Sequence, residues 1–158
     1  METKRKTFNK IYKGSLLVVF LFIAIISCNK NPYNDNSRLL GTWENKQTTN
    51  PAFPEIYNYD GITFTSINTY KMEVERIIWN SDASGIIYGK YTENTYNSSV
   101  VGKYYAVSFK DLTDTSISFA GAYKQNGKDG GGNLKEAITE FTENNGYFGF
   151  YSTLTKVK

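Results

Sequence analysis

Any chemistry in this chain rests on carboxylates, phenols and one thiol, because the sequence has no histidine and a single cysteine, Cys28. Ser–His and Cys–His nucleophile pairs are therefore impossible, as is a His–Glu–x–x–His zinc site. One Cys also excludes an internal disulfide or a Cys-cluster metal site. Two carboxylates keep a spacing that suits acid–base work, Glu73 and Glu75 in Tyr70-Lys71-Met72-Glu73-Val74-Glu75-Arg76. Two apart on a strand, they share a face. Tyr70, Met72 and Val74 then take the opposite, apolar face, which makes the glutamates a solvated outer edge. The loop Asn126-Gly127-Lys128-Asp129-Gly130-Gly131-Gly132-Asn133 lacks both the lysine position of a phosphate loop and the alternating Asp/Asn of a calcium loop. It reads as a flexible connection. No catalytic residue, metal or cofactor is assigned, and the chain is not expected to be an enzyme.

Phenols are the richer resource: 13 tyrosines, with 16% of all residues aromatic. Tyr88, Tyr91, Tyr104, Tyr105, Tyr123, Tyr147 and Tyr151 fall on expected strands, where packing alone favours aromatics. Small-molecule sites are also apolar and aromatic, with a few polar groups. Tyr88 and Tyr105 are the nominees for such a lining.

The elements that must position them are mostly strands. Strands are expected over Leu39–Glu44, Ile62–Thr65, Tyr70–Arg76, Ile86–Tyr91, Lys103–Lys110, Thr115–Lys124 and Tyr147–Val157. An eighth is placed near Tyr96–Val101, and the Pro51–Pro54 stretch is left as loop because proline cannot donate to a central ladder. Turn residues recur at short, regular intervals, which favours an antiparallel sandwich or barrel. One segment has helical spacing: Leu134, Ala137, Ile138 and Phe141 line one face, Asn133 caps it, and Glu136 holds the reciprocal capping position.

The charge is concentrated at the start. Five of the 18 basic residues and one of the 15 acidic ones precede Gly14, leaving 13 against 14 from Cys28 onward. With no basic stripe left to neutralise phosphates, no nucleic-acid partner is expected. The basic stretch leads into eleven unbroken apolar residues, Leu16–Ile26. A spanning helix needs about 18–20, whereas the apolar stretch of a signal peptide needs about 7–15. The run closes on Ile25-Ile26-Ser27-Cys28 and turns polar at Asn29.

That junction resembles the lipobox of bacterial lipoproteins, with Ile25 where Leu is usual and Ile26 bulkier than the common choice. The resemblance implies cleavage between Ser27 and Cys28, acylation of the Cys28 sulfur and a membrane partner reached through the acyl chains. One chain would bind only marginally, so the two or three carried by lipoproteins give durable attachment. Asn29, rather than Asp, after the Cys implies the outer membrane of the bacterial cell envelope. Three parts follow: a signal peptide over 1–27, an acylated Cys and flexible tether over 28–38, and a folded domain over 39–158.

Within that domain, Leu39-Leu40-Gly41-Thr42-Trp43 looks like the opening strand of lipocalin-like proteins. The resemblance implies a mainly-β fold: an antiparallel up-and-down barrel of about eight strands, with one C-terminal helix before the last strand. Gly41 would permit close backbone approach and Trp43 would plug the closed end. The family stacks an Arg over this Trp; no Arg follows Arg76, and Lys156 is the substitute. Two functions follow. One is a lipid-anchored barrel holding a small apolar or amphipathic ligand; the other is an envelope interaction module with a filled interior.

Overall fold

The longest pair of strands shows how the chain closes on itself. In the computed structural model, which describes residues 35–46 and 54–157, β4 (Tyr70–Trp79) and β5 (Gly85–Asn94) run antiparallel. Tyr70, Met72 and Val74 of β4 point inward, as their alternation predicts, while Glu73 and Glu75 are exposed. The pairing slips between Val74 and Arg76, so Glu75 and Arg76 both face water before Ile77 and Trp79 return to the interior. Such a bulge adds twist and bends the ribbon, which helps a sheet close. Gly89 sits opposite the slip. A Cβ there would lie 2.5 Å from the Glu73 carbonyl oxygen, so only glycine fits.

The remaining strands are β1 (Gly41–Glu44), β2 (Ile56–Tyr59), β3 (Thr63–Ser66), β6 (Tyr104–Lys110), β7 (Ser116–Gly121) and β8 (Ser152–Lys156). Each pairs with its sequence neighbour, and β1 pairs with β8 through Trp43 and Lys156, giving a closed eight-stranded up-and-down barrel. Closure leaves no exposed sheet edge. The interior is packed with Trp43, Phe64, Met72, Ile87, Val107, Phe109, Ile117, Phe119 and Leu154. Outward positions such as Lys71, Glu73, Lys90, Glu93, Lys110 and Thr155 are polar. This polarity is the reverse of a membrane-spanning barrel, whose apolar band faces lipid. Among the described residues no helix is long and apolar enough to cross a membrane.

The helix, α1 (Leu134–Glu140), lies before β8 as expected. The Asn133 carboxamide accepts from Glu136 N–H at 2.9 Å, a true cap. The reciprocal half differs: the Glu136 carboxylate accepts from Gly132 N–H at 2.8 Å and pairs with Lys128 at 2.5 Å. Ala137 and the C-cap Phe141 are buried against the outer faces of β5 and β6, forming a second apolar core with Ile86, Ala106, Ala120 and Tyr147. The glycine-rich loop is part of this assembly. Gly131 bridges to Tyr104, and Lys128 N–H donates to the Tyr147 hydroxyl at 2.9 Å, so the loop is pinned rather than flexible.

Several boundaries differ from expectation. The closing strand begins at Ser152 rather than Tyr147 and β7 ends at Gly121 rather than Lys124, so Tyr123, Tyr147 and Tyr151 lie off the strands. Three further segments depart more. The Tyr96–Val101 segment is not a strand; it holds a 3-10 turn at Ser98–Val100, started by the Asn97 side chain accepting from Ser99 N–H. The eighth strand is β2, which begins two residues after Pro54. Residues 36–39, placed partly in the tether, form a 3-10 turn docked on the barrel. There the Arg38 guanidinium donates to the Asp82 and Leu112 carbonyls, and Trp79 Nε1 donates to Asn36 at 3.0 Å. The leader, Ser27, Cys28 and residues 29–34 lie outside the described residues.

Candidate functional site

The two ends of the barrel are built from different residues. At one end, Trp43 is fully buried and its Nε1 donates to the Leu39 carbonyl at 3.0 Å. Lys156, its cross-strand partner, places Nζ 4.9 Å from the Trp43 ring centroid. Gly41 has φ +120, a conformation that favours glycine. A Cβ at that position would come within 3.0 Å of the Lys156 Cε, so Gly41 also leaves room for the lysine stem. Leu39, Leu112, Phe109 and Ile117 complete a dry floor.

The other end is a mouth lined with phenols. Tyr57, Tyr70, Tyr91 and Tyr105 occupy inward positions on β2, β4, β5 and β6. Tyr91 and Tyr105 stack with centroids 4.8 Å apart and 25° between planes. Tyr70 stands nearly perpendicular to both, at 87° to Tyr91 and 75° to Tyr105, with centroids 5.6 and 5.5 Å away. These three rings form a right-angled corner. Gly121 keeps it open, since a Cβ there would meet the Tyr105 hydroxyl at 2.6 Å. Below it, Tyr57, Phe64 and Phe119 make a second aromatic layer, with centroids 5.3 to 5.7 Å apart.

Two adjoining clefts open here. One, of about 290 Å³, is bounded by Glu55, Tyr57, Ser66, Tyr70 and Gly121. The other, of about 300 Å³, is bounded by Tyr70, Tyr91, Tyr105, Tyr96, Tyr123 and Asp129, among others. Tyr70 and Tyr96 belong to both. The barrel axis beneath is filled by Phe64, Met72 and Phe119, so the available space is shallow and confined to the mouth.

The electrostatics keep these phenols neutral. Burial raises Tyr105 to about 12, helped by the Asp129 carboxylate. Burial, then the nearby phenols and Glu55, hold Tyr70 well above the ordinary value. Tyr91 is raised by burial, with Tyr105 and Asp129 adding to it, and Tyr57 by burial followed by Glu55. The Glu55 carboxylate accepts from the Tyr57 hydroxyl and from Asn45, each at 3.0 Å. The mouth thus offers hydroxyl donors, ring faces and carboxylates.

Of the two nominated lining residues, Tyr105 is at the mouth and Tyr88 is beneath α1. The Tyr88 hydroxyl donates to the Phe141 carbonyl at 3.0 Å, and its ring belongs to the second core. Sequence reasoning does not single out Tyr57, Tyr70 or Asp129. A signal for Tyr70 exists, since it shares the two-residue period of Met72 and Val74; Asp129 has none, because only the pinned loop brings it to the rim. Glu73 and Glu75 form no carboxylate site: both are exposed on the outer wall, and Glu75 accepts from the Tyr104 hydroxyl at 2.9 Å.

No protein-family model, curated protein or solved structure matches the chain.

Proposed function

We propose that this chain is an acyl-anchored envelope lipoprotein whose barrel holds a small amphipathic ligand at its mouth. One observation carries the binding role: the inward tyrosines bordering two clefts of about 290 and 300 Å³, at the end opposite a sealed floor. That size is at the lower edge of small-molecule sites. An apolar body would rest on the rings while a polar head meets hydroxyls and carboxylates at the rim. The anchoring rests on the basic leader, the eleven-residue apolar run and Cys28 after Ser27. Asn29 favours the outer membrane, and no catalytic role is proposed.

A second reading has its own support. Phe64, Met72 and Phe119 leave no depth along the axis, as suits an interaction module that displays its surface to a protein partner. Native mass spectrometry of the protein extracted from its own membrane separates the two. The ligand reading expects an acyl mass at Cys28, absent in Cys28→Ser, together with a co-purifying small molecule. An acylated protein with nothing bound turns the assignment to the interaction module. An unacylated but correctly trimmed Cys28 overturns the anchoring.

A further inference from the structure

The mouth cleft beside Tyr91 and Tyr105 combines three features that together select for charge. Its walls include the right-angled corner of Tyr70, Tyr91 and Tyr105. Two more rings stand at its rim, Tyr96 and Tyr123, with exposures of 75% and 62%. Asp129 is on the rim, and no lysine or arginine is among the described residues that line the cleft. Nearby Lys128 is held elsewhere, by Glu136 at 2.5 Å and Glu140 at 3.8 Å. In the adjoining cleft the only charged residue in the described lining is Glu55, again an anion. Aromatic faces carry negative electrostatic potential and attract cations, more so where water is partly excluded.

We propose that the mouth cleft is an aromatic cage for an organic cation, a quaternary or alkylated ammonium group. The alkyl groups on nitrogen contact the rings of Tyr70, Tyr96 and Tyr105, with the buried Tyr91 stacked behind Tyr105 as support. Asp129 supplies the opposing charge from the rim, and Glu55 adds to the field across Tyr70. An ammonium with free N–H groups could use the Asp129 carboxylate, but most of the wall is ring face, which suits the weakly hydrated alkylated form better. An anion is disfavoured by both carboxylates. The inference rests on the mouth being a binding site and adds the charge of what binds.

The test uses the full-length protein, purified from membranes, with calorimetry and the tyrosine ring resonances as readouts. Three probes of one shape are compared: choline, its neutral tert-butyl analogue with carbon in place of nitrogen, and the tert-butyl carboxylate of similar size. Choline should bind about tenfold or more tighter than the neutral analogue, and the carboxylate weakest. Asp129→Asn should remove most of that preference while leaving the neutral analogue's affinity unchanged. Tyr96→Ala, at an exposed position that the fold does not need, should weaken choline severalfold. Equal affinity for choline and its neutral analogue would overturn the cation assignment and leave the mouth as a ligand site. If none of the three shifts a mouth tyrosine, both assignments fall together.

Discussion

The floor and the mouth of this barrel are both built on inward aromatic rings but differ in what those rings carry. At the floor, Trp43, Leu39, Leu112, Phe109 and Ile117 are almost wholly inaccessible, and the one polar hydrogen among them, Trp43 Nε1–H, is spent on the Leu39 carbonyl. At the mouth, Tyr57, Tyr70, Tyr91 and Tyr105 take the equivalent inward positions, and each adds a hydroxyl that phenylalanine would omit without loss of ring volume. Where packing alone decides, polar atoms are eliminated or satisfied locally. Their accumulation at one end marks the end that faces something other than the core.

The contrast predicts opposite responses to substitution. Trp43→Ala should cost about 3–5 kcal/mol, the range for deleting a large buried aromatic, and lower the denaturant midpoint accordingly. Tyr105→Phe, which keeps the ring and removes the hydroxyl, should cost about 1 kcal/mol or less. Chemical denaturation of both variants checks this. If Tyr105→Phe costs as much as Trp43→Ala, the mouth is a structural layer and the functional contrast fails.

Alkali should act more strongly on the mouth, with four raised phenols, than on the floor, with one. The floor end holds Lys156 and a single phenol, Tyr59, raised by burial and then by the Asp60 carboxylate, whereas the mouth gathers four, of which Tyr105 is raised by burial from the ordinary phenol value to about 12. Between those values the folded state keeps a proton that the unfolded state has released, so stability is fully present below about pH 10 and declines as pH rises toward 12. A displacement of that size corresponds to something on the order of 2–3 kcal/mol for one phenol. Denaturant midpoints measured across this window should fall, and Tyr105→Phe should flatten the fall. An unchanged slope in the variant would place the alkaline sensitivity at the other raised phenols, Tyr57, Tyr70 and Tyr91 of the mouth or Tyr88 beneath α1, which burial raises to about 12.

How far each region could be read in advance follows the same division. The floor was anticipated through the resemblance of Leu39-Leu40-Gly41-Thr42-Trp43 to a lipocalin-like opening strand, which named Gly41, Trp43 and Lys156; the positive φ of Gly41 and the Lys156 ammonium over the Trp43 ring are what the fold adds. The helix was legible from Asn133 and the spacing of Leu134, Ala137, Ile138 and Phe141. β2 was not, because four residues after two prolines hold too little pattern to outweigh the prolines. The Tyr96–Val101 segment misleads in the other direction. Its bulky residues suggest a strand, but the Asn94 side chain accepts from Tyr96 and Asn97 N–H and bends the backbone first. Tyr88 was unorientable because α1 covers the outer face of β5. Ile86, Ile87 and Tyr88 are all buried, and a strand buried on both faces loses its alternation. The mouth depends on register across four strands, set partly by the β4–β5 slips, and no local pattern encodes that.

The smallest expected effect concerns the cation that seals the floor. Lys156 is half-buried, its Cε close to where a Gly41 Cβ would stand and its Nζ 4.9 Å from the Trp43 centroid. An ammonium over an aromatic face contributes about 0.5–1 kcal/mol where water still reaches it, and it lacks the flat face with which a guanidinium stacks. Lys156→Met keeps an unbranched stem over the indole and discards the charge, so it should lower stability by no more than about 1 kcal/mol. Lys156→Arg should restore or exceed the original value if the ring recognises charge and planarity. If the methionine variant is as stable as the parent and the arginine variant is not more so, Lys156 acts only as a methylene cover. The floor is then held by packing alone, which would confine recognition of charge by aromatic rings to the mouth.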